Sequence, residues 1–282
     1  MPSSQFATVN GLKLHYLDYG DAAKPPLVCI HGLSGNAHSF DGLAAHLAGA
    51  YHVLAIDVRG RGDSQWGPAS DYNAPVYVSD LAAMLDLLKL DRVTLIGTSM
   101  GGVISMMYAG GYPAKVDRLV LNDVGPEVDP SDLQRITSYM IAAPARFADL
   151  GEVATYYREN YPALRQASEP ALLEFVKWAV KPVAGGGLMW KMDPAIRNAP
   201  RTGTAARPLD LWMPYARIIA PVLVVRGAES DILSHATAER MCKVLRDTRL
   251  VEVPRVGHAP SLLEPEALAA IRDFLGLDAS AR

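Results

Sequence analysis

Hydrophobic and polar positions alternate in two registers along this chain. "QFATV" and "LKLHYLDY" alternate on either side of Asn10-Gly11, the pattern of two strands paired around a two-residue turn. "PPLVCIHG", "YHVLAIDVRG", "RVTLIG" and "VDRLVLND" are short continuous apolar runs, as expected of strands buried on both faces. Between them lie stretches of helical period. "SFDGLAAHLA" reads as a helix with Ser39 as N-cap. "APVYVSDLAAMLDLLKL" reads as a second, with Pro75 in its first turn and an apolar face through Val78, Leu81, Leu85 and Leu88, and "MGGVISMMYAGGYP" as a third. Strands and helices in alternation predict an α/β fold, a parallel sheet covered by helices on both faces.

The rhythm breaks after Asn122. From about residue 124 to 216 the segments are amphipathic and proline-rich, with no strand pattern. "PEVDPSDLQRITSYMI", "LGEVATYYRENY" and "SEPALLEFVKWAV" are helix candidates, and "VAGGG" and "APRTGTAARP" are loop candidates. Alternation resumes at "APVLVVRG", followed by a helix near "HATAERMCKVLRD", a strand at "TRLVEVP" and a last helix at "EALAAIRDFLG". The expected organisation is an α/β core from residues 1–123 and 217–282, interrupted by a helical insertion at 124–216.

The run from Val93 to Ala114 carries no charge and is long enough to cross a bilayer. Five glycines interrupt it, and its β-rich half precedes a helix-like half, so it reads as a buried strand followed by a buried helix.

Composition refines this picture little. The 282 residues are 50% hydrophobic and 20% charged with a formal charge of -3, so no electrostatic feature points to nucleic acid or an anionic membrane. The start lacks a basic leader and apolar core, which predicts no signal peptide and a cytoplasmic address. Cys29 and Cys242 stand far apart in apolar surroundings and read as free thiols.

Candidate chemistry centres on "GTSMGG", residues 97–102. Gly-x-Ser-x-Gly alone is a weak signal, but here it joins a buried strand to a helix. Glycines two before and two after Ser99 avoid Cβ clashes at so tight a turn, and push the serine side chain out over the sheet edge. The next amide, on Met100, lies at the helix N-terminus, where negative charge is favoured. A Walker loop would need Lys beside Ser/Thr, and a dinucleotide fingerprint would need Gly-x-Gly-x-x-Gly; neither is present.

A serine nucleophile needs a base. Of seven histidines, His258 stands in a loop after the last expected strand, at the same carboxyl edge as Ser99. His15, His38, His46, His52 and His235 read as packing or surface residues. A carboxylate must orient the base. We assign Asp231, just past "VLVV", with Asp123 after "DRLVLN" and Glu229 as alternatives. "CIHGLSG" contributes a second oxyanion donor, the Leu33 amide, with His31 bracing the loop.

With these residues in place, the sequence resembles the α/β-hydrolase superfamily. The matches are "HGLSG" (31–35), "DVRGRGDS" (57–64), "GTSMGG" (97–102), "GAESDIL" (227–233) and "VGHAP" (256–260), in family order. The resemblance implies a mostly parallel eight-stranded sheet flanked by helices, with a helical cap inserted after the sixth strand that decides substrate choice. It also implies that Asp57 and Arg59 hold loops near the pocket. Relatives that cleave alkyl halides or epoxides carry Asp at the elbow, so Ser99 points to acyl chemistry. The resemblance is to the carboxylesterase, enol-lactonase and meta-cleavage-product hydrolase group.

The expected activity is hydrolysis of a small carboxylic ester or lactone through an acyl-enzyme on Ser99. Catalytic Ser99, Asp231 and His258 would act with the backbone amides of Leu33 and Met100, without a metal or organic cofactor. C–C bond cleavage by the same residues is the alternative, and a ligand receptor or scaffold the non-enzymatic one. The expected partner is a small molecule rather than nucleic acid or membrane, bound by a monomer or homodimer. Tyr139, Tyr157, Trp178, Met189 and Trp190 are candidates to line an apolar pocket. Arg146 or Arg197 is a candidate for a substrate carboxylate.

Overall fold

The computed structural model describes residues 2–127, 143–161, 164–165, 167–198 and 210–277. The chain opens with β1 (Ser3–Val9) and β2 (Leu12–Asp18), an antiparallel pair in which Val9 faces Leu12. Asn10 and Gly11 both have positive φ, 48° and 78°, the turn that matches the twist of paired strands. β3 (Pro26–Ile30), α1 (Asp41–Leu47), β4 (His52–Ile56), α2 (Ala74–Leu87), β5 (Val93–Thr98), α3 (Met100–Gly111) and β6 (Val116–Asn122) follow. After the insertion come β10 (Val222–Gly227), α8 (His235–Val244), β11 (Thr248–Val253) and α9 (Pro265–Phe274).

The eight strands lie in the order β1-β2-β4-β3-β5-β6-β10-β11. The pairs β4–β3, β3–β5, β5–β6, β6–β10 and β10–β11 are parallel, and β2 is antiparallel to its neighbours. The expected mostly parallel sheet is therefore present. The connection from β3 runs to β4 on one side while β5 lies on the other, so the strand order reverses at the carboxyl ends of β3 and β5, the place where open α/β sheets bind their ligands.

Both faces of the central strands are buried, which explains their continuous apolar runs. Val28 and Ile30 of β3 join one cluster with α2, α3 and α8, whereas Leu27 and Cys29 join a second with α1 and α9. The uncharged stretch divides into β5 and α3, and among the described residues no helix is long and apolar enough to cross a membrane.

Two local expectations are corrected. A 3-10 turn at Ala37–Phe40 precedes α1, and Asn36, not Ser39, caps it by accepting from the His38 amide at 3.0 Å. The insertion also contains strands: β7 (Arg146–Phe147), β8 (Val180–Pro182) and β9 (Leu188–Trp190) form a three-stranded antiparallel sheet in the order β7-β9-β8. "VAGGG" is the turn between β8 and β9, where Gly185, Gly186 and Gly187 all have positive φ.

Helices α4 (Leu150–Asn160), α5 (Glu169–Val176), α6 (Pro194–Asn198) and α7 (Trp212–Ala216) complete the described insertion. The first two match the sequence expectation. Nearly all of "PEVDPSDLQRITSYMI" and the whole of "APRTGTAARP" lie outside the described residues. Phe147, Val153, Tyr157, Leu172, Val176 and Trp190 form a third apolar cluster within the insertion.

Candidate active site

Ser99 sits between β5 and α3 with φ 51° and ψ -114°, a conformation that costs roughly 1–3 kcal/mol in a non-glycine residue. The backbone on either side of it is closely packed. A Cβ on Gly97 would lie 2.4 Å from the Gly101 carbonyl oxygen, and one on Gly101 would lie 2.0 Å from that of Ile30. The glycines thus allow α3 to press against β3 and β5. The Ser99 amide donates to Asn122 O at 3.0 Å, fastening the turn to the end of β6.

His258, in the loop after β11, meets Ser99: Nε2 accepts from the serine Oγ at 2.9 Å. The same loop is held to β6 by Asn122, whose Nδ2 donates to Pro260 O at 2.9 Å. On its other side, His258 Nδ1 donates to Asp123 Oδ2 at 2.8 Å. The carboxylate that the structure brings to His258 is thus Asp123, one of the alternatives, rather than the assigned Asp231. Asp123 follows directly on β6 and is fully buried, with φ 54°. Its carboxylate also accepts from the Gly227 amide at 2.9 Å and Ser230 Oγ at 2.6 Å. Asp231 lies four residues beyond β10, past a turn closed by Ser230 N to Gly227 O, and is exposed. Glu229 is exposed too.

Met100 is the first residue of α3, so its amide has no partner within the helix. Leu33 is at the corner of a turn closed by Gly35 N to Gly32 O at 3.1 Å. A Cβ on Gly32 would sit 3.6 Å from the Ser99 Cβ, which places this turn beside the serine. His31 braces it: Nδ1 donates to Gly32 O at 2.7 Å, fixing the peptide that carries the Leu33 N–H, and Nε2 accepts from Val58 N at 3.1 Å. The ring is fully buried, and burial pushes its pKa down to about 4 despite the pull of Asp57.

That depression has a consequence for stability. The unfolded His31 titrates near 6.5 and the folded one near 4, so between those values the unfolded chain holds the extra proton. Stability is complete above pH 6.5 and declines as the pH falls toward 4, by up to ~1.4 kcal/mol per pH unit for this group. Urea unfolding from pH 7.5 to 5 is expected to show a shallower decline for His31→Gln than for the native protein. Equal slopes would contradict the assignment.

The "DVRGRGDS" stretch ties loops together, as the resemblance implies. Asp57 accepts from Ala37 N at 2.7 Å, Asp63 N at 2.8 Å and His15 Nδ1 at 2.7 Å. Burial favours its neutral form, but these hydrogen bonds and the nearby His31 outweigh burial and hold the carboxyl below the usual range. Arg59 makes a two-pronged bond to Asp80 of α2 at 2.5 and 2.6 Å.

The insertion reaches this site through Trp178, one of the candidates, and Tyr161, which sequence reasoning passed over. Tyr161, at the end of α4, donates from its hydroxyl to Ser34 Oγ at 3.1 Å. Trp178 stacks on His38, with ring centroids 3.6 Å apart and planes 7° from parallel. Tyr157 and Trp190 are packing residues of the insertion's own cluster, and Met189 lies in β9; Tyr139 is outside the described residues. Arg146 is exposed, and Arg197 donates to the Ala143 and Pro144 carbonyls.

A family model described as the alpha/beta hydrolase fold matches residues 25–265. The chain belongs to this family. Among curated relatives of the hydrolase, 3-hydroxybutyrate-oligomer hydrolase of Cupriavidus necator is 38% identical over 271 residues, covering 93% of this chain and 92% of that protein. 2-(Acetamidomethylene)succinate hydrolase of Mesorhizobium japonicum is 28% identical over 257 residues, covering 89% and 88%. Among solved structures, an alpha/beta hydrolase from Novosphingobium aromaticivorans matches with a TM-score of 0.87 at 36% identity, over 98% of both chains.

Proposed function

We propose that the hydrolase cleaves small carboxylic esters through an acyl-enzyme on Ser99, and that short oligoesters of 3-hydroxy acids are its substrates. The observation that carries this reading is the unbroken hydrogen-bond chain from Ser99 Oγ through His258 to Asp123, at 2.9 and 2.8 Å. The oligoester assignment draws on the 38% identity to 3-hydroxybutyrate-oligomer hydrolase. Residues 124–216 act as a cap over Ser99, supported by the Tyr161 and Trp178 contacts to the loop after β3.

In this mechanism the Ser99 oxygen attacks the ester carbonyl as its proton passes to His258 Nε2. Asp123 holds the ring so that Nδ1 carries a proton and Nε2 is the acceptor, and it stabilises the imidazolium that forms. The amides of Met100 and Leu33 receive the oxyanion, an interaction worth about 3–4 kcal/mol per donor in a dry site. The tetrahedral adduct collapses, and the leaving alkoxide takes the proton from His258. Water then gives a proton to His258 and attacks the acyl carbon, and the serine oxygen departs with that proton as the acid is released.

A fluorophosphonate probe followed by peptide mass analysis is expected to place one adduct on Ser99, and the linear dimer of 3-hydroxybutyrate should be turned over. Absence of an adduct in the folded protein would overturn the serine mechanism. Background rates on the dimer and on p-nitrophenyl esters, beside fast cleavage of a vinylogous diketo acid, would replace ester hydrolysis with C–C cleavage.

A further inference from the structure

The turn that carries the Leu33 amide is held from three directions. Two holds come from the core: His31 Nδ1 on the Gly32 carbonyl at 2.7 Å, and Arg61 Nε on the Leu33 carbonyl at 3.0 Å. Arg61 is itself fixed, fully buried and bonded to Arg59 O and the Tyr77 hydroxyl. The third hold comes from the insertion, where the Tyr161 hydroxyl donates to Ser34 Oγ at 3.1 Å. Four residues further on, His38 takes the face of Trp178. These two contacts fall on one segment, Ser34 within the turn and His38 in the 3-10 turn that leads into α1.

Tyr161 is well seated for this task. Its backbone amide closes the end of α4 on Tyr157 O at 2.8 Å. Its ring stacks on Tyr157 at 4.7 Å and meets Tyr156 edge-on at 6.4 Å. Burial raises the phenol's pKa, so the hydroxyl remains a donor at any assay pH.

We propose that Tyr161 is a positioning residue that couples the proposed cap to the oxyanion turn through Ser34. The hold matters because an oxyanion donor must lie within about 2.7–3.1 Å of the developing charge, and a misplacement of about 1 Å can lower the rate about 100-fold. With His31 and Arg61 retained, losing the third hold loosens the turn without dismantling it. The expected penalty is therefore smaller, about tenfold. The cap would then contribute to the chemical step as well as to substrate choice. This inference rests on the reading of Ser99 as nucleophile and Leu33 as oxyanion donor.

Tyr161→Phe removes only the hydroxyl, Ser34→Ala removes only its acceptor, and Ser34→Thr retains one. The readouts are kcat and KM on p-nitrophenyl butyrate, and inhibition by an alkylboronic acid, which forms a tetrahedral anion on the serine. Tyr161→Phe and Ser34→Ala should each lower kcat about tenfold and weaken boronate inhibition equally, with KM within about twofold. The double variant should be no worse than either single one, and Ser34→Thr should resemble the native protein. A change confined to KM, additive losses in the double variant, or unchanged values throughout would each overturn the coupling. If Ser99→Ala retains both activity and boronate affinity, the serine reading itself fails, whatever Tyr161 does.

Discussion

Replacing Ser99 by Ala is expected to lower kcat on an ester by a factor on the order of 10^5 to 10^6, while the folded protein and its melting temperature persist. Alanine keeps the Cβ, so the turn at φ 51° remains as costly as before and the glycine approaches around it are undisturbed. Only the oxygen that His258 Nε2 faces at 2.9 Å is gone. The residual rate over water would come from the oxyanion amides and from substrate binding. Ser99→Gly separates the two aspects of the position: it also abolishes turnover, but relieves the positive-φ strain. Single-turnover kinetics with a thermal melt checks both, and a loss below about 100-fold in Ser99→Ala would refute the nucleophile assignment.

The second large effect falls on the carboxylate. Asp123→Asn is expected to lower kcat about 10^4-fold, and Asp231→Asn to leave it within about threefold. Asn at 123 can offer its amide N–H to Nδ1, which turns the imidazole to the tautomer with Nε2 protonated and unable to accept from Ser99. It also removes the charge that offsets the imidazolium. Asp231 is exposed, and the single Nδ1–H of His258 is already given to Asp123. Steady-state rates of both variants between pH 7 and 9 decide the matter: full activity in Asp123→Asn with loss in Asp231→Asn would reverse the assignment.

The choice between these two aspartates shows where the sequence stops being informative. Both follow a buried parallel strand, both lie at its carboxyl end, and both fall between Ser99 and His258 in chain order. Linear spacing therefore ranks them poorly. Asp123 is adjacent to β6, whereas Asp231 is four residues past β10 and outside the turn that brings Ser230 Oγ onto Asp123. What separates them is that the Gly227 amide and the Ser230 hydroxyl both fall on the Asp123 carboxylate, which requires β6 and β10 to be neighbours in the sheet.

The sheet itself was legible because strands buried on both faces need unbroken apolar runs, and Ser99 because the elbow requires glycine at fixed positions. The small sheet of the insertion was not. Its strands have two or three residues, and Val180–Pro182 contains a lysine and a proline, too little for a period of two to register. The Tyr161–Ser34 contact joins residues 127 positions apart and has no local signal at all.

The separate apolar cluster of the insertion bears on how such an enzyme can change over generations. Phe147, Val153, Leu172 and Val176 pack among themselves, so substitutions there act within the insertion and leave the two apolar clusters of the sheet untouched. The elbow is the opposite case: at Gly101 even a methyl group would meet the Ile30 carbonyl oxygen at 2.0 Å. Heritable variation can accumulate in the insertion while the elbow stays as it is. A lineage can thus vary one part of the molecule without disturbing the other.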